Sequence, residues 1–214
     1  AVAGGTIFGL ALFAADAGTR IAGGGGGGAG VGRVFVVNPA DGGLSGHLNS
    51  PRHVSGAVVG LEGTQAVLYA VTQETGGAGQ LRKFDATGAL VDAGSPSPIS
   101  TPFPASPTPG TPTPVLGAGS LVYTVASNGT LLVASQGTLA ARWAQPIAAP
   151  LTGPVQASPT LDCNQERPGS STGIFYFGTG SGWLVAYVVD SPGLDPTAPW
   201  PKYQHDARNT GNSK

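Results

Sequence analysis

The chain has 214 residues, of which 36 are Gly and 19 are Pro, with a net charge of −1 and a mean hydropathy of +0.10. Gly and Pro both destabilise helices, so their frequency excludes a helical bundle, while 40% apolar residues exclude a chain without a packed core. The Lys and Arg residues form no basic stripe, and no apolar run approaches the length of a transmembrane helix. The sequence therefore predicts an all-β protein with many turns, no nucleic-acid partner and no membrane span.

The first part of the chain contains two β-rich segments, Thr6–Leu10 and 32–37. Between them lies the glycine run Gly23–Gly28, which has too much conformational freedom to hold one backbone path. We predict a flexible hairpin loop there. Because the chain contains no Met, Ala1 is not an initiator residue, and we expect the chain to be the product of cleavage of a longer precursor.

A second unit follows, with an apolar segment at Val67–Val71 and a further β-rich segment beginning at Gln80. After it comes Ser95–Pro114, which contains eight prolines in twenty residues. Proline-rich segments favour an extended polyproline conformation without sheet hydrogen bonds. We therefore predict that residues 95–114 form an insert that runs over the outside of the fold.

The clearest internal repeat pairs residues 121–132 with residues 174–185 without a gap. Tyr123 then matches Tyr176 and Gly129 matches Gly182, each at an offset of 53 (176 minus 123). Asn128-Gly129 and Ser181-Gly182 are typical of two-residue hairpin turns, which need positive φ angles. Strands with near-continuous apolar runs, such as Ile174–Phe177, are expected to be covered on both faces.

Equivalent aromatic residues mark four units along the chain. Phe8, Tyr69, Tyr123 and Tyr176 are separated by 61, 54 and 53 positions. Small antiparallel sheets repeated at such a period and stacked face to face are typical of a β-propeller, which we favour over a sandwich or barrel. We predict about four blades of four-stranded antiparallel sheets, at residues 1–54, 55–100, 110–150 and 151–191, and a tail, 192–214, that packs on the last blade.

Several motifs resemble a known repeat. Ser158-Pro159 precedes the strand containing Tyr176, Trp143 ends a Gly-x-x-x-x-x-Trp segment, and the tail contains Trp200-Pro201 followed by His205-Asp206, Arg208 and Thr210-Gly211. These features are similar to the repeat of PQQ-like (quinoprotein-type) β-propellers. The tail resembles that of secreted and lipid-anchored bacterial members, notably those of myxobacteria.

The resemblance implies an extracellular or outer cell-surface location in a bacterium. It also implies seven or eight blades, so the four units here correspond to part of a larger ring or to an assembly in which other chains complete the ring. We regard ten residues as structural motif positions: Tyr69, Tyr123, Gly129, Trp143, Tyr176, Gly182, Trp200, His205, Asp206 and Arg208.

The sequence offers no clear catalytic, cofactor-binding or metal-binding set. A quinoprotein dehydrogenase needs Ca²⁺ ligands, an Asp base and usually a Cys pair, whereas this chain has 8 Asp, 3 Glu and the single Cys163. His205 and Asp206 are adjacent, and neighbours in an extended segment point to opposite sides, which disfavours a catalytic dyad. Asp190 and Asp195 supply too few carboxylates for a Ca²⁺ cage and are better explained by a turn.

These observations favour a non-catalytic structural or binding module at the cell surface, with no cofactor and with a protein or glycan partner. Two alternatives stay open. One is a fragment of a PQQ-dependent quinoprotein dehydrogenase, which predicts a cofactor and Ca²⁺ on the ring axis. The other is a self-assembling surface or filament protein, in which the Gly-rich and Pro-rich inserts mediate contacts between chains.

Overall fold

The structure is a computed structural model that describes residues 2–3, 6–14, 30–37, 44–50, 57–73, 78–85, 91–92, 97–102, 112–126, 129–145, 155, 157–163 and 169–202. Side chains are described for residues 57–71, 80–84, 112–126, 129–145, 155, 157–163 and 169–202. Every regular element in these residues is a β-strand. The all-β prediction is therefore confirmed for the part of the chain that the structure describes.

The strands form four antiparallel sheets, each built from strands consecutive in sequence. The first sheet contains β1 (Val2–Ala3), β2 (Thr6–Ala14), β3 (Gly30–Val37) and β4 (Leu44–Ser50). The second contains β5 (Val58–Glu62), β6 (Gln65–Gln73), β7 (Ala78–Asp85), β8 (Val91–Asp92) and β9 (Ser97–Pro102). The third contains β10 (Val115–Gly117), β11 (Leu121–Val125), β12 (Leu131–Ser135) and β13 (Ala141–Gln145). The fourth contains β14 (Thr160–Cys163), β15 (Gly173–Gly178) and β16 (Leu184–Val189). The blade boundaries proposed from sequence stay a prediction.

The strand register repeats from sheet to sheet. Tyr69 lies opposite Val58 in the second sheet, Tyr123 lies opposite Val115 in the third, and Tyr176 lies opposite Thr160 in the fourth. The three tyrosines thus occupy the same position on the second strand of their sheets. We call the side of each sheet that bears this tyrosine its tyrosine face.

The second, third and fourth sheets pack face to face in chain order. The tyrosine face of the second sheet packs on the opposite face of the third, in a buried cluster that contains Val58, Val67, Tyr69, Val71, Leu81, Leu116, Val122, Ala134 and Leu139. The tyrosine face of the third sheet packs on the opposite face of the fourth, with Val115, Tyr123, Val125, Leu131, Val133, Leu161, Phe175, Phe177, Val185 and Val189 buried together. The third sheet is therefore covered on both faces, as its near-continuous apolar strands require.

The first strands of successive sheets lie close together. Strand β10 contacts both β5 and β14. Strand β13, at the other edge of the third sheet, is mostly exposed and contains the polar residues Arg142 and Gln145. The second, third and fourth sheets thus meet along their first strands. The last strand of the third sheet, β13, faces solvent.

The chain continues past the fourth sheet and runs along the first strands of the two preceding sheets. The Ala118 amide donates to Gly193 (3.0 Å), the Asp195 amide donates to Leu116 (2.9 Å), and the Leu116 amide donates to Pro201 (2.7 Å). Further on, Trp200 exchanges two backbone hydrogen bonds with Val59, of 2.9 and 3.1 Å.

The described part of the tail, residues 192–202, thus pairs with the second and third sheets, and the packing of residues 192–214 on the last blade stays a prediction. Strands β5 and β10 are edge strands, so the outward N–H and C=O groups of Val59 and Leu116 need partners that their own sheets cannot supply. The tail supplies those partners. Residues 203–214, including His205, Asp206 and Arg208, lie outside the described residues.

Part of the proline-rich insert belongs to a sheet, contrary to the prediction. Ser97–Pro102 forms β9, which pairs with β7 opposite Ala78, Gln80 and Leu81. An edge strand tolerates proline because its outward-facing amides need no sheet partner. Pro112, Thr113 and Pro114 are buried rather than exposed. The Gly23–Gly28 loop lies outside the described residues.

The predicted two-residue hairpin turns are three-residue loops. Thr179 and Trp183 close one loop, with the Thr179 amide donating to Trp183 (2.8 Å) and the Gly182 amide donating back to Thr179 (3.0 Å). The equivalent bonds join Ala126 to Thr130 and Gly129 to Ala126. Gly182 and Gly129 have φ angles of 87° and 88° at the third loop position, where this turn requires the left-handed conformation.

Candidate binding surface

The fourth sheet exposes an apolar surface on its tyrosine face. Strand β16 alternates, so that Val185 and Val189 are buried against the third sheet while Leu184 is 74% exposed and Val188 is 67% exposed. Trp183, which directly precedes the strand, is 49% exposed. These three are the exposed large apolar side chains among the residues whose side chains are described.

The neighbouring strand extends this surface. Tyr176 lies opposite Ala186, and Ile174 lies opposite Val188. Because paired residues share a sheet face, these side chains form one surface with the exposed residues of β16. We call it the apolar face, and it consists of Ile174, Tyr176, Leu184, Ala186 and Val188, with Trp183 at one end.

The burial of the three equivalent tyrosines differs according to whether another sheet covers their face. Tyr69 and Tyr123 are completely buried because their tyrosine faces pack against the next sheet. Tyr176 occupies the same register position but is only half-buried, and its face is the apolar face. The difference follows from what covers each sheet, since the strand pairing is the same.

Trp143 and Trp200, two of the predicted motif residues, have different surroundings. Trp143 on β13 is half-buried against the core between the third and fourth sheets, and its indole N–H donates to Asp190 (3.3 Å). Trp200 is half-buried and pairs through its backbone with Val59 in the second sheet. Trp143 and Trp200 therefore lie in different parts of the described structure.

An ion pair between a buried lysine and a partly exposed glutamate lies where the second sheet meets the third. Lys83 is 5% exposed, and its ammonium group donates to both carboxylate oxygens of Glu62 (2.9 and 3.1 Å) and to the carbonyl of Gly137 (2.6 Å). The Tyr69 hydroxyl also lies within hydrogen-bonding distance of Glu62 (3.1 Å) and of the Gln136 carbonyl (3.3 Å). All three ammonium protons of Lys83 thus have acceptors, which is the arrangement of a structural cross-link.

Burial raises the pKa of the Tyr69 hydroxyl far above its usual value, and the negative charge of Glu62 raises it further. Next to this pair, the Gln136 side-chain amide donates to the Leu121 carbonyl and to Asp195 of the tail, both at 3.3 Å. The cluster therefore holds the third sheet and the tail against the second sheet. Tyr69 is therefore neutral at ordinary pH, and the Lys83 ammonium group has all its protons in hydrogen bonds.

A second buried contact joins the third sheet to the segment after β16. The Ser191 hydroxyl donates to the Ala118 carbonyl (2.7 Å), so its single proton is used there and the Tyr123 hydroxyl donates to Ser191 (2.8 Å). Burial is the main cause that raises the pKa of Tyr123. This contact fixes the point at which the chain leaves the fourth sheet.

The described residues contain no group of three or more His, Cys, Asp or Glu side chains placed to hold a metal ion. Cys163 is exposed at the end of β14. Asp190 and Asp195 have separate roles, because Asp190 accepts from Trp143 while Asp195 accepts from the backbone amide and the hydroxyl of Thr197. Among the described segments, none forms a helix that could cross a membrane.

Comparison by sequence finds no family profile and no curated protein that matches the chain. Comparison by structure finds similarity to the crystal structure of BamB from Moraxella catarrhalis, with 14% identity and a TM-score of 0.47 over 75% of this chain and 46% of that one. A complex of the fission yeast SREBP-SCAP binding domains is also similar, with 12% identity and a TM-score of 0.34 over 74% of this chain and 57% of that one.

The chain thus spans about half of the length of these two solved structures. Both TM-scores are low, so neither likeness assigns a fold or a function to this chain.

Sequence reasoning missed the apolar face. The signal was present in Leu184–Val189, where all six residues are apolar and both sides of the strand are therefore apolar. Such a strand is expected to be covered on both faces, and the structure covers one of them. Only the stacking order of the sheets shows which one is left open.

Proposed function

We propose that the chain is a non-catalytic β-propeller module that binds another protein through the apolar face of its fourth sheet. Support for the propeller comes from three sheets stacked face to face in chain order, with their first strands close together. A two-layer sandwich provides one buried interface, whereas here the third sheet has buried residues on both faces. The four sheets belong to a ring that further blades complete.

The observation that supports binding is the exposure of Leu184 and Val188 on one sheet face, with the exposed Trp183 directly before the strand. Contiguous exposed apolar surface costs free energy in water and commonly marks a protein interface. Strand β13 shows how this chain builds a strand that faces solvent, with Arg142 and Gln145 among its exposed residues. The composition of β16 is that of a covered strand, so a partner surface is the natural complement.

We propose that this binding takes place outside the cell or at the outer surface of a bacterium. The support is the resemblance of the tail segment around Trp200 and His205 to secreted and lipid-anchored bacterial propeller proteins. Labelling of intact producing cells with a membrane-impermeant amine reagent should modify the protein. Labelling only after lysis would contradict this location.

A photoreactive phenylalanine analogue tests the binding surface. Placed at Val188 in producing cells, it should give an adduct with a second polypeptide on illumination, because the side chain points out of the apolar face. The matched control places the same analogue at Ala144, an exposed position on β13 of the third sheet. Equal adduct yields at both positions would contradict the proposal.

We propose further that the chain is not an enzyme. Its polar cluster at Lys83, Glu62 and Tyr69 links sheets together, and each of these side chains bonds to another member of the cluster or to a backbone carbonyl. Addition of pyrroloquinoline quinone and Ca²⁺ should produce neither quinone binding nor dye-linked oxidation of alcohols or sugars. Saturable quinone binding with turnover would support the dehydrogenase alternative instead.

A further inference from the structure

The fourth sheet ends one strand earlier than the third among the described strands. The third sheet continues from β12 to β13, whereas β16 pairs with β15 on one side only. The residues that follow β16 do not fill the position beside it, because residues 193–201 run along β10 and β5 instead. The outer side of β16 is therefore an edge in the described structure.

The direction of the backbone groups at this edge follows from the preceding hairpin. The Thr179 amide donates to the Trp183 carbonyl, so Trp183 and every second residue after it face β15. Leu184, Ala186 and Val188 direct their N–H and C=O groups to the other side, and these groups have no partner among the described residues. The side chains of the same three residues lie on the apolar face, so the edge and the face form one continuous surface.

The third sheet shows what occupies the equivalent position. Strand β12 is the counterpart of β16, with Val133 at the position of Ala186, at the repeat offset of 53 (186 minus 133). Trp143 of β13 lies opposite Val133 and packs against the buried cluster on the tyrosine face. The other side chains of β13 are exposed. The occupant is thus an antiparallel strand with one large aromatic side chain on the tyrosine face.

We propose that the outer edge of β16 binds an extended segment of a partner protein as a fourth, antiparallel strand. The segment places a large apolar side chain opposite Ala186, where it covers the apolar face next to Tyr176. Backbone hydrogen bonds to the edge supply affinity, and the apolar side chain supplies specificity. This inference rests on the proposed function and names the mode of binding and the kind of segment that is bound.

A peptide with the sequence of residues 139–145, which contains β13, is the probe for this edge. Labelled with fluorescein, it should bind the 214-residue chain saturably in a fluorescence anisotropy titration. Trp143→Ala in the peptide should weaken binding by at least about tenfold, because the ring that covers the apolar face is lost. Absence of saturable binding by the unmodified peptide would overturn the proposal.

Methylation of single peptide nitrogens distinguishes strand addition from contact with the apolar face alone. Ser135 of β12 donates to Ala140, so Val133 also faces β13 and the Trp143 amide faces β12, while the Ala144 amide faces away. N-methylation at Trp143 should weaken binding by at least about tenfold, whereas N-methylation at Ala144 should change it by less than about threefold. Equal effects at the two positions would count against strand addition.

Ala186→Pro removes an outward amide from the edge without removing a bond to β15, and it should weaken peptide binding by at least about tenfold. Ala144→Pro in the chain is the matched control, since this exposed alanine also directs its amide away from its own sheet, and affinity should stay within about threefold. Circular dichroism should show the same strand content in both. A folded Ala186→Pro chain with unchanged affinity would contradict the proposal, and if this variant does not fold, the N-methylated peptides decide.

The photoreactive analogue at Val188 separates this inference from the proposed function. In producing cells, Ala186→Pro should lower the yield of the adduct with the second polypeptide by at least about tenfold. An adduct that persists unchanged in the folded Ala186→Pro chain overturns strand addition and leaves the binding function standing. Absence of any adduct in the chain that retains Ala186 overturns both.

Discussion

At the scale of single residues, Gly117 is closely packed against the segment where the chain leaves the fourth sheet. A Cβ atom built on Gly117 would lie 2.5 Å from the Ser191 hydroxyl oxygen and 2.6 Å from the Tyr123 ring. Both neighbours are buried, and they hydrogen-bond to each other, so neither can move away without losing that contact. Gly117 is thus required for close approach and not for a turn.

We expect Gly117→Ala to lower the free energy of unfolding by about 1–3 kcal/mol, because the added methyl group overpacks this contact. The control is Gly137→Ala, where a Cβ would meet nothing within 4 Å, and it should change stability by less than about 0.5 kcal/mol. Urea unfolding followed by tryptophan fluorescence measures both. Equal effects at the two positions would show that the contact at Ser191 is not tight.

At the scale of elements, the tail packs between the second and third sheets and hydrogen-bonds to both. Ala198 is 8% exposed and belongs to the cluster between the second and third sheets. The backbone on either side is held by Asp195 at Leu116 and by Trp200 at Val59. Sequence periodicity cannot identify such a segment, because the tail has no alternating strand pattern. Its partners are backbone groups of the edge strands β5 and β10, which are far away in sequence.

A charge at Ala198 should therefore separate the tail from the two sheets. We expect Ala198→Asp to lower the free energy of unfolding by about 2 kcal/mol or more, because a carboxylate would be buried without a partner. Ala144→Asp makes the same change at an exposed strand position and should be nearly neutral. Urea unfolding compares the two, and an effect no larger than that of Ala144→Asp would contradict the position of the tail.

At the scale of the whole molecule, buried tyrosines couple stability to alkaline pH. The pKa values of Tyr69, Tyr123 and Tyr187 are raised in the folded state, mainly by burial. Above the usual pKa of 10.0 the unfolded chain releases these protons while the folded chain keeps them. Stability that is fully present below about pH 10 is therefore lost as the pH rises further.

We expect the free energy of unfolding to fall above about pH 10 with a slope of up to about 1.4 kcal/mol per pH unit for each fully buried tyrosine. Tyr69→Phe and Tyr123→Phe should each reduce that slope. Urea unfolding at a series of pH values, with phenolate absorbance recorded in parallel, provides the measurement. An unchanged slope in both variants would contradict this coupling.

Local chemistry explains what could be predicted from the sequence. Apolar runs located β11 and β15, and Gly129 and Gly182 marked loops that need a positive φ. The number of residues in those loops was wrong, because two-residue and three-residue loops both place Gly near the end. Strand β9 was not predicted, because its prolines suggested a polyproline conformation. Its pairing depends on the edge of β7, which is not apparent from the sequence of residues 97–102 themselves.

The candidate site depends on a longer-range property. Whether Leu184 and Val188 are covered is decided by which sheet follows the fourth one, and no local pattern contains that information. The equivalence of Tyr69, Tyr123 and Tyr176 could be read from spacing alone. The half-burial of Tyr176 could not be read in this way.

The pairing of Trp200 with Val59 has a consequence for the order of folding. The two residues are 141 positions apart in sequence (200 minus 59), so the contact closes a long loop and forms only after the tail has left the ribosome. Until then, β5 and β10 keep unpaired edges that can join other strands. Chains that lack the tail segment should therefore be the species most prone to aggregation, and synthesis of residues 193–201 is itself the step that protects the edges of the earlier sheets.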